Sequence, residues 1–205
     1  AKDEDIIFKA GALWEDTNRN EGRISPIAEI SRLKEMNSGR SERIYISYAE
    51  SVQFIGYGAI GGIGGLFQSN PNLTKETSKN LEIGYQLENK LWSLHATAFH
   101  RRDDDLADWT YVGTAARSAE NLNLETFGVE FLASREWDSL QTMLSYGYLT
   151  KKEDYGNLII DGSFYALNFP KHRFTLGVIW DPVDSLQIRV DNEWRDQHDN
   201  SLRKG

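Results

Sequence analysis

The 205-residue chain contains no cysteine, which excludes disulfide frameworks, thiolate zinc sites and cysteine nucleophiles. It has no surplus of positive charge either. Its 23 Lys and Arg against 31 Asp and Glu give a net charge of −8, which argues against nucleic acid as the main partner. No apolar run approaches the roughly 18 to 20 residues that a membrane-crossing helix needs, and the mean hydropathy is −0.55. A helical membrane protein is thereby excluded. A membrane β-barrel is not, because its strands alternate lipid-facing and lumen-facing residues and so escape a hydropathy window. The start "AKDEDIIFKAGALW" has no initiator methionine and no signal peptide, and the end "DNSLRKG" stops in what reads as a loop just after a strand pattern. The expectation is a segment of a longer chain.

What is present is period-two alternation, the mark of strands with two unlike faces. Leu81, Ile83, Tyr85 and Leu87 fall on one side, with Glu82, Gly84, Gln86 and Glu88 on the other. The same holds for Trp92 to Ala98, Phe127 to Ala133, Phe174 to Trp180 and Leu186 to Val190, and more weakly for Phe8 to Trp14, Ile24 to Ile30, Ile44 to Tyr48 and Leu140 to Tyr148. About nine strands result, more than a small sheet usually has. No convincing helix is found.

Connections alternate in length. Short turns fall at "ENK", "REWDS" and "DPVDS", with a moderate one at "KEMNSGRS"; long polar loops are expected at about 54–79, 101–121 and 151–172. In an antiparallel meander every long loop then lies at one end, as in outer-membrane barrels with short periplasmic turns and long extracellular loops. Trp92, Trp137 and Trp180 sort to the short-turn end, and Trp14, Trp109 and Trp194 to the long-loop end, as two interfacial girdles would. A soluble β-sandwich is the alternative reading of the same pattern.

Catalytic and cofactor motifs fail on context. "GYGAIGG", Gly56 to Gly62, has the G-x-G-x-x-G spacing of a dinucleotide loop, but no helical periodicity follows to receive a pyrophosphate. "RRDDD", Arg101 to Asp105, lacks calcium-loop spacing and reads as a solvated loop. His95, His100, His172 and His198 form no metal-binding pattern, and no G-x-S-x-G elbow occurs. Neither a catalytic constellation, a metal site nor a cofactor is expected.

"NPNLTKETSKNLEIGY" supplies Asn70, Pro71, Leu73, Glu76, Ser78, Asn80, Glu82 and Gly84 in the places of the NP-x-L-x-x-E-x-S-x-N-x-E-x-G signature, and the stretch resembles TonB-dependent outer-membrane receptors. "ATAFHRRDDDLADW" and "ARSAENLNLETFGVEF" follow in the family's order, with Asn121, Gly128, Val129 and Glu130 in the expected places; Leu124 to Thr126 departs from the pattern. The resemblance implies an all-β fold, residues 1–205 forming part of an antiparallel transmembrane barrel of 22 strands. It also implies a plug domain and a C-terminal aromatic residue that lie outside this sequence. On this reading the protein is no enzyme. It lies in the bacterial outer membrane against lipid and lipopolysaccharide, binds a large scarce nutrient such as a ferric siderophore, cobalamin or an oligosaccharide, and draws energy from TonB through the plug. Asn70 and Pro71 read as loop-return architecture, and Gly84 and Gly128 as sites of close backbone approach or strand curvature. Loop residues Tyr57, Phe67, Gln68, Trp109 and Tyr111 are candidate ligand contacts, with packing of loop on loop as the alternative. A passive porin, an anchoring barrel and a soluble carbohydrate-binding module remain as other readings.

Overall fold

The computed structural model describes residues 3–17, 20–36, 39–62, 64–164, 166 and 169–198. The two ends discussed above and Asn37–Ser38 of the "KEMNSGRS" turn lie in part outside the described residues. The strands are β1 (Asp3–Thr17), β2 (Asn20–Met36), β3 (Arg40–Gln53), β4 (Phe67–Gln68), β5 (Glu76–Glu88), β6 (Trp92–Tyr111), β7 (Arg117–Glu136), β8 (Leu140–Asp154), β9 (Gly162–Ser163), β10 (Pro170–Val183) and β11 (Leu186–Gln197), with one helical turn, α1 (Tyr57–Ile60). The nine long strands form one antiparallel meander in the order β1-β2-β3-β5-β6-β7-β8-β10-β11. Both the all-β expectation and the number of long strands agree with this sheet.

Register turns the alternation into continuous rows. Phe8, Ile30, Ile46, Ile83, Ala98, Val129 and Tyr148 are successive cross-strand partners from β1 to β8. One step along the strands, Lys9, Glu29, Ser47, Glu82, Phe99, Gly128 and Leu149 form the matching row on the opposite face. The first face is uncovered: Phe8 is 74% and Ile83 55% exposed. An apolar surface this wide is unfavourable in water and suited to lipid. The second face is wired by polar contacts. Glu29 holds both Lys9 (3.3 Å) and Arg43 (2.5 Å), and the Tyr45 hydroxyl donates to Glu82 at 2.6 Å. Gly84 and Gly128 are required here, since a Cβ would lie 2.3 Å from the Tyr45 ring at one and 2.3 Å from the Phe99 ring at the other. Each ring occupies the space that a side chain at the glycine would need.

At the short-turn end the Asn89 side chain accepts from the backbone N–H groups of Leu91 and Trp92, both at 2.8 Å, fixing a tight return. The opposite end departs from the sequence reading. The long loop expected at 101–121 is the upper part of a β-hairpin, in which β6 and β7 stay paired to Thr110 and Ser118. Lipid contrast is absent there, so "RRDDDLADW" shows no alternation of apolar and polar residues, yet its backbone still pairs. A bulge between Asp103 and Leu106, with Asp105 at φ 60°, re-aims the hairpin.

Two loops cross this hairpin. The one leaving β3 sends β4 to the edge of β7 far from β5, and the one leaving β8 sends β9 to the edge of β6 far from β8. The buried apolar side chains among the described residues all belong to this end: Val52, Ile60, Leu73, Ala119, Leu122, Leu124, Ala166 and Phe169. Six of them, all but Val52 and Phe169, pack in two clusters. Ile60 and Leu73 of the first loop meet Ala119 and half-buried Trp109, whereas Ala166 and Tyr155 of the second meet Leu106, Leu122 and Leu124. Strand alternation puts these clusters on opposite faces of the hairpin.

Candidate functional site

The loop end is built on two polar anchors. In the first, the Asn70 side chain accepts from Asn72 N–H at 3.0 Å, an Asx turn that Pro71 stiffens, while Asn70 N–H donates to the Ala59 carbonyl at 2.7 Å. Leu73 then drops into the core, and the Glu76 carboxylate accepts from Ala107 N–H at 3.1 Å. From β7, the Asn121 side chain accepts from Thr74 N–H at 3.0 Å and donates to the Asp105 carbonyl at 2.6 Å. Asn70, Leu73, Glu76 and Asn121 thus meet in one seam that ties the first loop to the hairpin and pins the bulge.

The second anchor is Asp108, 1% exposed. One carboxylate oxygen accepts from the N–H groups of Trp109 (2.7 Å) and Phe164 (3.1 Å), and the other from Ala166 (3.1 Å). The Tyr155 hydroxyl lies 3.1 Å from that of Ser163, and burial pushes the Tyr155 phenol above its usual range. Asp108 therefore holds the second loop as Asn121 holds the first.

Between the anchors the two loops meet around Arg117. Its guanidinium lies 5.6 Å from the Phe67 ring, 5.7 Å from Tyr111 and 5.1 Å from Phe164. Phe67 also meets Trp109 edge-on at 5.0 Å and Phe164 at 6.3 Å. Gly162 leaves room for Tyr111, whose hydroxyl would lie 2.6 Å from a Cβ. Gln68 accepts from the Ser118 hydroxyl at 3.4 Å. Of the sequence candidates, Phe67, Gln68, Trp109 and Tyr111 are brought together, while Tyr57 stands on α1 with 85% of its surface exposed. Trp109 and Tyr111 lie on β6 rather than in a loop, and half-buried Trp109 packs against the cluster of Ile60, Leu73 and Ala119. Arg117 and Phe164 were missed. A single Arg in "GTAARSAE" carries no local signal, because its ring partners arrive from segments far along the chain.

The glycine motif serves a turn. Gly56 precedes the four residues of α1, and a Cβ on Gly62 would lie 2.2 Å from the Gly58 carbonyl oxygen, so the backbone folds back on itself there. Among the described residues no helix is long and apolar enough to cross a membrane, which says nothing of strands, and no three His, Asp or Glu side chains gather as for a metal.

The family model for "TonB dependent receptor-like, beta-barrel" matches residues 8–203. The chain belongs to that family. Among solved structures 36 chains match, one of them the copper transporter OprC, with a TM-score of 0.58 and 16% identity over 80% of this chain and 25% of that one. At this identity the likeness is one of fold, and the chain spans about a quarter of that transporter's length. No curated protein sequence matches.

TonB-dependent receptors are transport proteins rather than enzymes, and their barrels lie in the Gram-negative outer membrane. That location gives the uncovered apolar face its solvent. Within this family frame, Glu82, Gly84 and Gly128 belong to the lumen-side wall and Val129 to the lipid-side row. Glu130 projects into a lumen-side cleft of about 440 Å³ shared with His95, Ser145, Arg173 and Thr175.

Proposed function

We propose that this barrel segment belongs to an active importer whose extracellular end captures a large, scarce nutrient, with release into the periplasm driven through TonB and a plug. The supporting observation is the Arg117 cluster. Three aromatic rings and a guanidinium stand at the meeting point of two anchored loops, and the buried Arg117 Nε has no hydrogen-bond partner among the described residues. Rings offer stacking surface and the cation offers charge, which together suit a rigid ligand carrying an anionic or electron-rich group. A ferric siderophore, cobalamin and an acidic oligosaccharide all meet that description. Phe67, Gln68 and Tyr111 are the first contacts on this reading, with Trp109 supporting Phe67 from below.

Uptake and surface binding by the full-length protein test the proposal, with ferric siderophores, cobalamin, oligosaccharides and copper offered in parallel. Arg117→Gln is expected to weaken binding of the accepted ligand by about tenfold or more, the loss of one charge-assisted contact. Uptake should stop when TonB is deleted. Undiminished uptake without TonB would instead select the passive porin reading. The soluble carbohydrate-binding reading conflicts with the uncovered apolar rows.

A further inference from the structure

Arginines in this chain are mostly neutralised by its own carboxylates. Arg32 pairs with Glu4, Arg102 with Asp104 and Arg173 with Glu193, each at 2.8 Å, and Arg40 pairs with Glu42. Arg135 is different. It lies at the short-turn end of β7, opposite Trp92 of β6, and alternation from Phe127, Val129, Phe131 and Ala133 puts it on the lipid-facing side. Its guanidinium carbon lies 4.6 Å from the Trp92 ring and 4.6 Å from the Trp137 ring. Its Nε is buried without a hydrogen-bond partner among the described residues, and neither Glu136 nor Asp138 forms an ion pair with it.

A cation held in an apolar rim without a counter-ion is costly unless something outside the protein supplies the negative charge. The surroundings define that partner. Both indoles remain partly exposed, at 39% and 43%, and an indole favours the headgroup level of a bilayer. The apolar rows continue directly upward from this point through Leu94 and Ala133, which are cross-strand partners and leave a path for acyl chains. A guanidinium fixed between two rings presents its remaining donors in a plane, the geometry that matches phosphate oxygens. We propose that Trp92, Arg135 and Trp137 form a binding site for the phosphate headgroup of a phospholipid in the periplasmic leaflet. The site pins the barrel's depth at its short-turn rim, and it rests on the membrane reading of the apolar face.

Native mass spectrometry of the full-length protein in detergent tests the site, with phosphatidylglycerol, diacylglycerol of the same chains and inorganic phosphate as probes. Wild type should retain phosphatidylglycerol and shed diacylglycerol, and Arg135→Gln should retain about fivefold less phosphatidylglycerol, the effect of one basic residue at a lipid surface. Arg135→Lys should fall between the two, since it keeps the charge and loses the plane. Equal retention by Arg135→Gln, or equal binding of diacylglycerol and phosphatidylglycerol, overturns the proposal. So does displacement of the lipid by millimolar inorganic phosphate, which would mark a site for the free ion. Heat-dependent migration on gels separates the two levels of failure: a protein that never shows a barrel-like shift refutes the membrane reading, whereas a normal shift with unchanged lipid retention refutes the headgroup site alone.

Discussion

The wall of the sheet and its loop end are built on opposite principles. In the wall, one layer of strands carries Ile30, Ile46 and Ile83 on a face that nothing among the described residues covers, and its interior side is held by contacts such as Tyr45 to Glu82. At the loop end, Leu122, Leu124 and Ala119 are buried by the chain itself, and the polar groups Asp108 and Asn121 serve to tie loops down. The wall borrows its apolar phase from the membrane, and the loop end makes its own. Equivalent substitutions should therefore have unlike consequences in the two places.

The largest difference is expected for truncation. Leu124→Ala removes buried atoms from the cluster with Ala166 and should cost about 2–5 kcal/mol of loop-end stability. Proteolysis within 155–169 of the full-length protein would report it, with barrel migration on gels unchanged. The same truncation in the wall, Ile83→Ala, should cost only about half a kcal/mol, because lipid fills the space. If the two prove equally costly, the wall face is packed against protein rather than lipid.

Charge reverses the order. Ile83→Arg should destabilise the barrel by roughly 2–4 kcal/mol, the cost of a charge near the bilayer midplane. Refolding into phospholipid vesicles measures it, and a neutral result would remove the membrane from the argument. An added charge at exposed Tyr57 should pass unnoticed in the same assay.

A third substitution probes how the two regions are joined. Asn121→Ala strips partners from Thr74 N–H and the Asp105 carbonyl, which should cost about 1–3 kcal/mol. Hydrogen exchange should then rise at 70–76 and at the bulge together. A rise at only one of them would mean that the seam is not a single unit.

These contrasts also explain what the sequence could disclose. Wall strands such as Leu81 to Leu87 were legible because lipid on one side and water on the other impose a difference at every second residue, a signal local to a few positions. The extension of β6 through Arg101–Asp105 was not, since all five side chains are charged and leave no contrast between the two faces. The turn at Asn70 was legible through its side-chain chemistry, which accepts from Asn72 N–H. Its partner at Glu120 lies 50 residues away, 3.5 Å from the Asn70 side chain, and no local pattern announces that contact. Arg117 is the same case in sharper form: the rings that define it arrive from three separate segments.

The smallest expected effect is a pH dependence confined to the loop end. Burial is the main cause that raises the Tyr155 pKa, with Glu153, Asp108 and Tyr111 adding to it and the Ser163 hydrogen bond opposing it. A phenol whose folded pKa is raised prefers to stay neutral in the folded loop. Its contribution is present in full below the unfolded value of about 10 and is lost as pH climbs from there through the higher folded value. Protease sensitivity of 155–169 should therefore increase above about pH 10 in the wild type, in step with phenolate absorbance. Tyr155→Phe should flatten that rise while leaving the wall unaffected, at the expense of about 1 kcal/mol for the lost bond to Ser163. A rise that persists in Tyr155→Phe would assign the alkaline opening to another group and leave the second loop held by Asp108, by Asp161 and by the pairing of β9 with β6.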